Sequence, residues 1–227
     1  MTKSNKNPAW ITRFDEVVTY MEKNLDKWNS IEEIRKTYDE FTHNLKKIKE
    51  LQPELEQDLA PVKKELESNR ELLIQKLFPL VNILEVYSED HKMGKKTRSH
   101  LLSRKQLAAL SNKKLLVHAT SLNKLISKYM HRTGDANKGG QISPAQDIKR
   151  YGLTQSMMDD LNSASHQYES SMHLLKDVFI YRNKVKKKRD ALVRTNKKLL
   201  TKRLNKLMTV FSGTHPSFYQ EYHGIFK

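Results

Sequence analysis

Apolar residues recur at intervals of three and four along nearly the whole of this 227-residue chain, and that rhythm leaves little choice of fold. Ile31, Ile34, Tyr38, Phe41, Leu45 and Ile48 alternate the two spacings, which aligns them on one side of an α-helix. Leu101, Ala108, Leu115, Leu122 and Tyr129 stand seven apart, as do Val185, Leu192 and Leu199, and again Val193, Leu200 and Leu207. A strand buries every second residue and cannot use such a pattern. Only seven glycines and six prolines interrupt the chain, and no glycine precedes Gly94. The expected fold is all-α: an elongated antiparallel bundle of five or six long helices.

Local signals divide the pattern into elements. Pro8, after Asn7 as a candidate cap, opens a first helix striped by Ile11, Phe14, Val17, Val18, Met21, Leu25 and Trp28. Ser30-Ile31-Glu32-Glu33 reads as a capping box for the second. Pro53 and Pro61 bracket a short helical turn, and a helix then runs to about Asp90 with an expected kink at Pro79. His91 to Ser99 is a basic connector, and the following helix is expected to break near Ser111-Asn112. Residues 1–213 are read as one bundle, with first helices in 1–131, a mobile basic loop in 132–152 and long C-terminal helices in 153–213. Gly134, Gly139, Gly140 and Pro144 carry the loop reading, Thr154 caps the next helix, and Gly213 ends the last one. A span of that length predicts a bend or break within Asp177–Lys186. Residues 214–227 form an aromatic tail, whose Phe218, Tyr219, Tyr222 and Phe226 are expected to pack on the bundle or on a protein partner.

The Tyr151-Gly152-Leu153-Thr154 turn, the Leu204-Asn205-Lys206-Leu207-Met208 helix end and the Pro216/Phe218-Tyr219/Tyr222 tail resemble an uncharacterised family of bacterial helical-bundle proteins. The resemblance covers residues 70–226 in pattern. It implies a helical bundle and carries no activity. The glycine loop and the strong basicity depart from that family.

The formal net charge is +16, unevenly placed: residues 1–90 hold 14 basic and 18 acidic side chains, residues 91–227 hold 28 and 8. Arg182 to Lys206 contains twelve basic residues and one acid, Asp190, while Lys92 to Arg132 contains eleven basic residues and no acid. Such excess points to a polyanion, an anionic membrane or an acidic protein surface. The residues read as polyanion-binding are Lys95, Lys96, Arg98, Arg104 and Lys105, with Lys184, Lys187, Lys188, Arg194, Lys198 and Lys202. Arg189, Asn196 and Arg203, seven apart within the apolar arc, are read as a polar cluster that either lines a small-anion cavity or pairs with glutamates such as Glu65, Glu67 or Glu71.

Catalytic signals are weak. The chain has no cysteine, so it has no thiolate zinc site and no cysteine nucleophile. Gly94-Lys95-Lys96-Thr97 lacks the earlier glycine and the hydroxyl position of a phosphate-binding loop. Glu40 and His43 are the one Glu-x-x-His pair, where a di-metal bundle site needs two. His166, Glu169 and His173 share a helix side without a second helix of ligands, and His118 reads as a core histidine bonded to a carbonyl or carboxylate. No apolar run approaches a membrane span. The expectation is a cytoplasmic, non-enzymatic protein without cofactor or metal, whose basic sides contact nucleic-acid phosphate without sequence specificity. The alternative is a scaffold acting through helical faces and the aromatic tail. Peripheral membrane binding would need an exposed apolar side as well.

Overall fold

The computed structural model describes residues 7–92, 95–130 and 144–226, without the side chains of residues 7, 8, 95, 96 and 144–146. All secondary structure among the described residues is helical. In chain order the elements are α1 (Asn7–Lys23), α2 (Leu25–Trp28), α3 (Glu32–Glu50), α4 (Gln52–Glu56), α5 (Ala60–Asp90), α6 (Lys95–Arg98), α7 (Arg104–Ala109) and α8 (Asn112–Met130). After them come α9 (Pro144–Arg150), α10 (Gln155–Lys198), a π segment (Leu199–Leu204), α11 (Asn205–Leu207), a 3-10 turn (Met208–Val210), α12 (Phe211–Thr214) and α13 (Pro216–Gly224). Where one body was expected, these elements group into two compact units. Unit 1 is Met1–Gln57 with Phe179–Lys227, and unit 2 is Asp58–Val178.

Unit 1 is built on α1, α3 and the last part of α10. Phe14, Val17 and Met21 meet Ile34, Phe41 and Ile48 with Val193, Leu200, Leu204 and Met208 in one core. Trp28 packs on Tyr38 at 4.7 Å and Phe14 on Phe41 at 5.3 Å, while Lys49 reaches Asp15, so α1 and α3 run antiparallel. Glu33, Phe41 and Gln52 meet Arg203, Asn196 and Arg189 in that order, so α3 and α10 are antiparallel as well. The aromatic tail belongs to this core. Phe218 and Tyr222 are buried, Tyr20 stacks on Phe218, and its hydroxyl donates to the Phe218 carbonyl at 2.8 Å. Gly213 lies inside α12 instead of ending the helix.

Unit 2 packs α5, α8 and the first part of α10. Leu73, Leu77, Leu80 and Leu84 meet Leu115, Ala119, Leu122 and Ile126, with Met158, Leu161, Ala164 and Tyr168. Arg70 bonds Tyr168 and Lys76 bonds Asp160, so α5 and α10 are antiparallel. Arg70 also meets Asn112 and Tyr87 meets Tyr129, so α5 and α8 run parallel, the chain between Asp90 and Asn112 having returned along α5.

Several local expectations change. The segment Asp177–Lys186 neither bends out of helix nor breaks; α10 is continuous to Lys198 and departs from α geometry only at the π segment. At a rise of about 1.5 Å per residue its 44 residues exceed what one small core can cover, and the chain meets this by giving part of the helix to each unit. Ser30 does not cap α3: Ile31 occupies the N-cap position without a side-chain bond. A capping box is at Ser103 and Gln106, ahead of α7, and α8 begins separately at Asn112. Thr154 does cap α10, accepting from the Met157 amide at 3.2 Å. Within the expected 132–152 loop, Pro144–Arg150 is helix α9, and Gly152 follows it at φ +87°, a conformation that glycine adopts without strain. Residues 131–143, including Gly134, Gly139 and Gly140, lie outside the described residues. Helix α5 passes Pro79 without interruption, although the ring removes the N–H that would reach the Gln75 carbonyl.

Candidate nucleic-acid interface

Within unit 1, α10 has two sides with opposite uses of charge. The inner side carries Val185, Val193 and Leu200 in the core. Between them four polar residues at successive heptad positions bond the chain at 33–55. The Arg182 guanidinium donates to the Leu55 carbonyl. Arg189, 6% exposed, donates to Gln52 Oε1 at 3.2 Å and to Asp190 Oδ1 at 3.1 Å. Asn196, fully buried, donates to the Phe41 carbonyl at 3.0 Å, and its Oδ1 has no partner. Arg203 is exposed and pairs with Glu33 at 2.7 Å. That bond, with a second to Lys36, holds the Glu33 carboxyl below its ordinary pKa.

The expected cluster of Arg189, Asn196 and Arg203 therefore does not converge. Each residue meets α3 or α4 at a different level, Arg203 is not buried, and none bonds Glu65, Glu67 or Glu71. Glu71 is instead the partner of Arg104 in unit 2. Arg182 was missed as the fourth member, although it stands seven residues before Arg189.

The outer side of the same helix, continued into the π segment, carries Lys184, Lys187, Lys188, Arg194, Lys198 and Lys202, all exposed. Their spacing sets them opposite the row of Arg182, Arg189 and Asn196, with only Ala191 and Thr195 between. They extend over about 27 Å of helix. Among the described residues none of the six forms an ion pair or a side-chain hydrogen bond; the one acid of the stretch, Asp190, is turned to Arg189. Lys197, at the flank, lies over the Trp10 ring at 4.3 Å. No aromatic or large aliphatic side chain stands in the outer row, so it offers charge to phosphate but no platform for bases and no wedge for a bilayer.

The basic stretch of unit 2 is used differently. Arg98 and Lys105 are exposed, Arg104 is taken by Glu71, and the side chains of Lys95 and Lys96 lie outside those described. On α8 Lys113, Lys114, Lys124 and Lys128 are exposed, with Val117 and Thr120 between the two pairs. The buried cation of this unit is Arg70, which sequence reading missed. Its guanidinium donates to Asn112 Oδ1 at 2.9 Å, the Tyr168 hydroxyl at 3.2 Å, and the carbonyls of Ala108 and Leu110 at 2.8 and 2.7 Å. The signal was its place in the seam Leu66, Arg70, Leu73, Leu77. Burial raises the Tyr168 pKa, and the Arg70 charge opposes that rise.

Other candidates remain apart. His118 is half-buried beside His100, its Nε2 without a partner; burial holds its pKa down, as does the neighbouring His100. The Thr97 hydroxyl meets the Tyr129 hydroxyl at 3.3 Å. His43, His166, Glu169 and His173 are exposed, and no group of metal-ligating side chains occurs among the described residues. No helix of the described residues is long and apolar enough to cross a membrane. No family model, curated protein or solved structure matches the chain.

Proposed function

We propose that the outer side of α10 in unit 1 binds a polyanion, with the phosphate backbone of nucleic acid as the ligand its chemistry fits and without reading sequence. The observation that carries this is the row of six exposed cations without partners among the described residues. A lone surface cation costs nothing in water, but six in one acid-free row repel one another, and a row of phosphates relieves that repulsion and releases counterions. Arg98 and Lys105 of unit 2 are open to the same kind of ligand, whereas Arg104 is engaged. On this reading the protein is a non-enzymatic, cytoplasmic binding protein, helical as the likeness to the bacterial helical-bundle family implies.

Six engaged phosphates would weaken duplex binding by roughly 2,000-fold between 50 and 200 mM salt. Replacing Lys184, Lys187, Lys198 and Lys202 by glutamine should flatten the slope of log affinity against log salt by about three to four, without loss of helix. A folded quadruple variant with the parent's affinity and slope would remove this side from the function.

A scaffold role is the second reading, favoured by the exposure of Phe179, Ile180 and Tyr181 at 42, 56 and 55%. It predicts binding that ignores salt and fails when Ile180 becomes aspartate.

A further inference from the structure

We propose that unit 1 also holds a small-molecule site: a pocket at Arg189 that takes a monocarboxylate with an apolar body, of the aryl or medium-chain class. A cavity of about 240 Å³ is lined by Ile11, Ile48, Lys49, Gln52 and Arg189. Ile48 is fully buried and Ile11 half-buried, so the walls are apolar. One charged group enters from the protein interior, the Arg189 guanidinium, whose side chain is 8% exposed.

That guanidinium is poorly satisfied for a buried charge. It carries five N–H donors in a planar fork. Its bonds are Nε to Asp190 Oδ1 at 3.4 Å, Nη2 to the same oxygen at 3.1 Å and Nη1 to Gln52 Oε1 at 3.2 Å. Charge-assisted bonds of good geometry are nearer about 2.8 Å. Adjacent helix residues do not face each other, so Asp190 offers one oxygen from the side and cannot meet the fork squarely. A ligand carboxylate in the cavity can. Lys49, at the rim, is paired with Asp15 at 2.6 Å and keeps donors to spare. Recognition rests on the fork and on the apolar surface of Ile11 and Ile48.

The volume sets the size of the guest. A cavity of about 150 Å³ accommodates benzene, so this one suits roughly ten heavy atoms. The outer-row cations Lys184, Lys187, Lys188, Arg194, Lys198 and Lys202 do not line it. The site is thus independent of the polyanion reading.

The test follows fluorine line broadening of para-fluorobenzoate with the full-length protein. The parent should bind with a dissociation constant on the order of 1 mM. Arg189→Gln, and Ile11→Trp to fill the cavity, should each weaken binding at least about tenfold, and neutral para-fluorobenzyl alcohol should bind the parent at least about tenfold less well. If Arg189→Gln fails to fold, Arg189→Lys keeps the charge without the fork and should still weaken binding several-fold. The quadruple lysine-to-glutamine variant should bind the benzoate like the parent while losing duplex DNA. No broadening with the parent, unchanged binding by a folded Arg189 variant, or equal binding of the alcohol would overturn the site. Loss of benzoate binding in the quadruple variant would also overturn it, by moving the anion to the outer lysines.

Discussion

Unit 1 and unit 2 both carry more basic than acidic residues, 23 against 13 and 19 against 13, but they handle the excess in different ways. In unit 1 the basic stretch separates by side: Arg182 and Arg189 are bonded inward, Arg203 pairs with Glu33 at the surface, and Lys184, Lys187, Lys188, Arg194, Lys198 and Lys202 stand outward without partners among the described residues. In unit 2 Arg70, Lys76, Arg104 and Arg150 are engaged within the unit, while Lys113, Lys114, Lys124 and Lys128 stand exposed along α8. Arg70 is buried against carbonyls, Arg104 meets Glu71, Lys76 meets Asp160 and His91 meets Asp147. Neither the count of basic residues nor their freedom from partners therefore locates a binding surface; what sets unit 1 apart is the density of cations along one side of its helix.

If that contrast holds, core and surface substitutions must have separable effects. The largest is expected from Phe41→Ala, which removes a fully buried ring from between Phe14 and the Asn196 level of α10. It should destabilise unit 1 by about 3–5 kcal/mol and abolish polyanion binding with it. Amide exchange would show unit 1 losing protection ahead of unit 2, and equal loss in both would erase the distinction.

Arg70→Met should cost about 3 kcal/mol in unit 2, because it strands the carbonyls of Ala108 and Leu110 and the side chains of Asn112 and Tyr168. Denaturation monitored in each unit checks this. Nucleic-acid affinity of the folded fraction should stay at the parent's value; a loss there would make Arg70 part of the binding surface.

The inner row of unit 1 sharpens the comparison further. Asn196→Leu removes one buried hydrogen bond but also the unpartnered Oδ1, so stability should shift by less than about 1 kcal/mol. What Asn196 supplies is register, as a single buried asparagine does in a coiled coil. Broadened amide spectra for α3 and α10 at unchanged melting temperature would be the expected signature, and unchanged spectra would deny it that role.

The smallest effect is a pH dependence in unit 2. Burial places the His118 pKa below its unfolded value of 6.5, and His100 adds to the shift. The neutral form is favoured in the fold, so this contribution is complete above about pH 6.5 and is lost as pH falls through the folded pKa. His118→Gln should flatten the decline in the urea midpoint between about pH 7 and 5. A parent and variant with parallel curves would contradict the assignment.

The helical class was legible because heptad spacing has no other use, and the outer row of α10 was legible because lysines opposite an apolar seam have nowhere else to point. Partnerships were not. Arg203 was read with Arg189 and Asn196 because they share a spacing, but spacing says nothing of what stands opposite, and Glu33 lies 170 residues away. The Ser30 box failed because it is a local preference, and helix α3 starts where Ile31 packs into the unit 1 core. Ser103 and Gln106 had the same signature and were passed over. Two units were not foreseen, since an unbroken apolar rhythm in α10 serves one core as well as two.

The most direct test of the central claim sets the two basic regions side by side. One variant carries Lys184, Lys187, Lys198 and Lys202 as glutamine; the other carries Arg98, Lys105, Lys113 and Lys124 as glutamine. Affinity for a short duplex is measured for both and for the parent between about 50 and 200 mM salt. The unit 1 variant should flatten the salt slope by about three to four and the unit 2 variant by about one or less. Equal slopes for the two variants, or a parent-like slope for a folded unit 1 variant, would contradict the account.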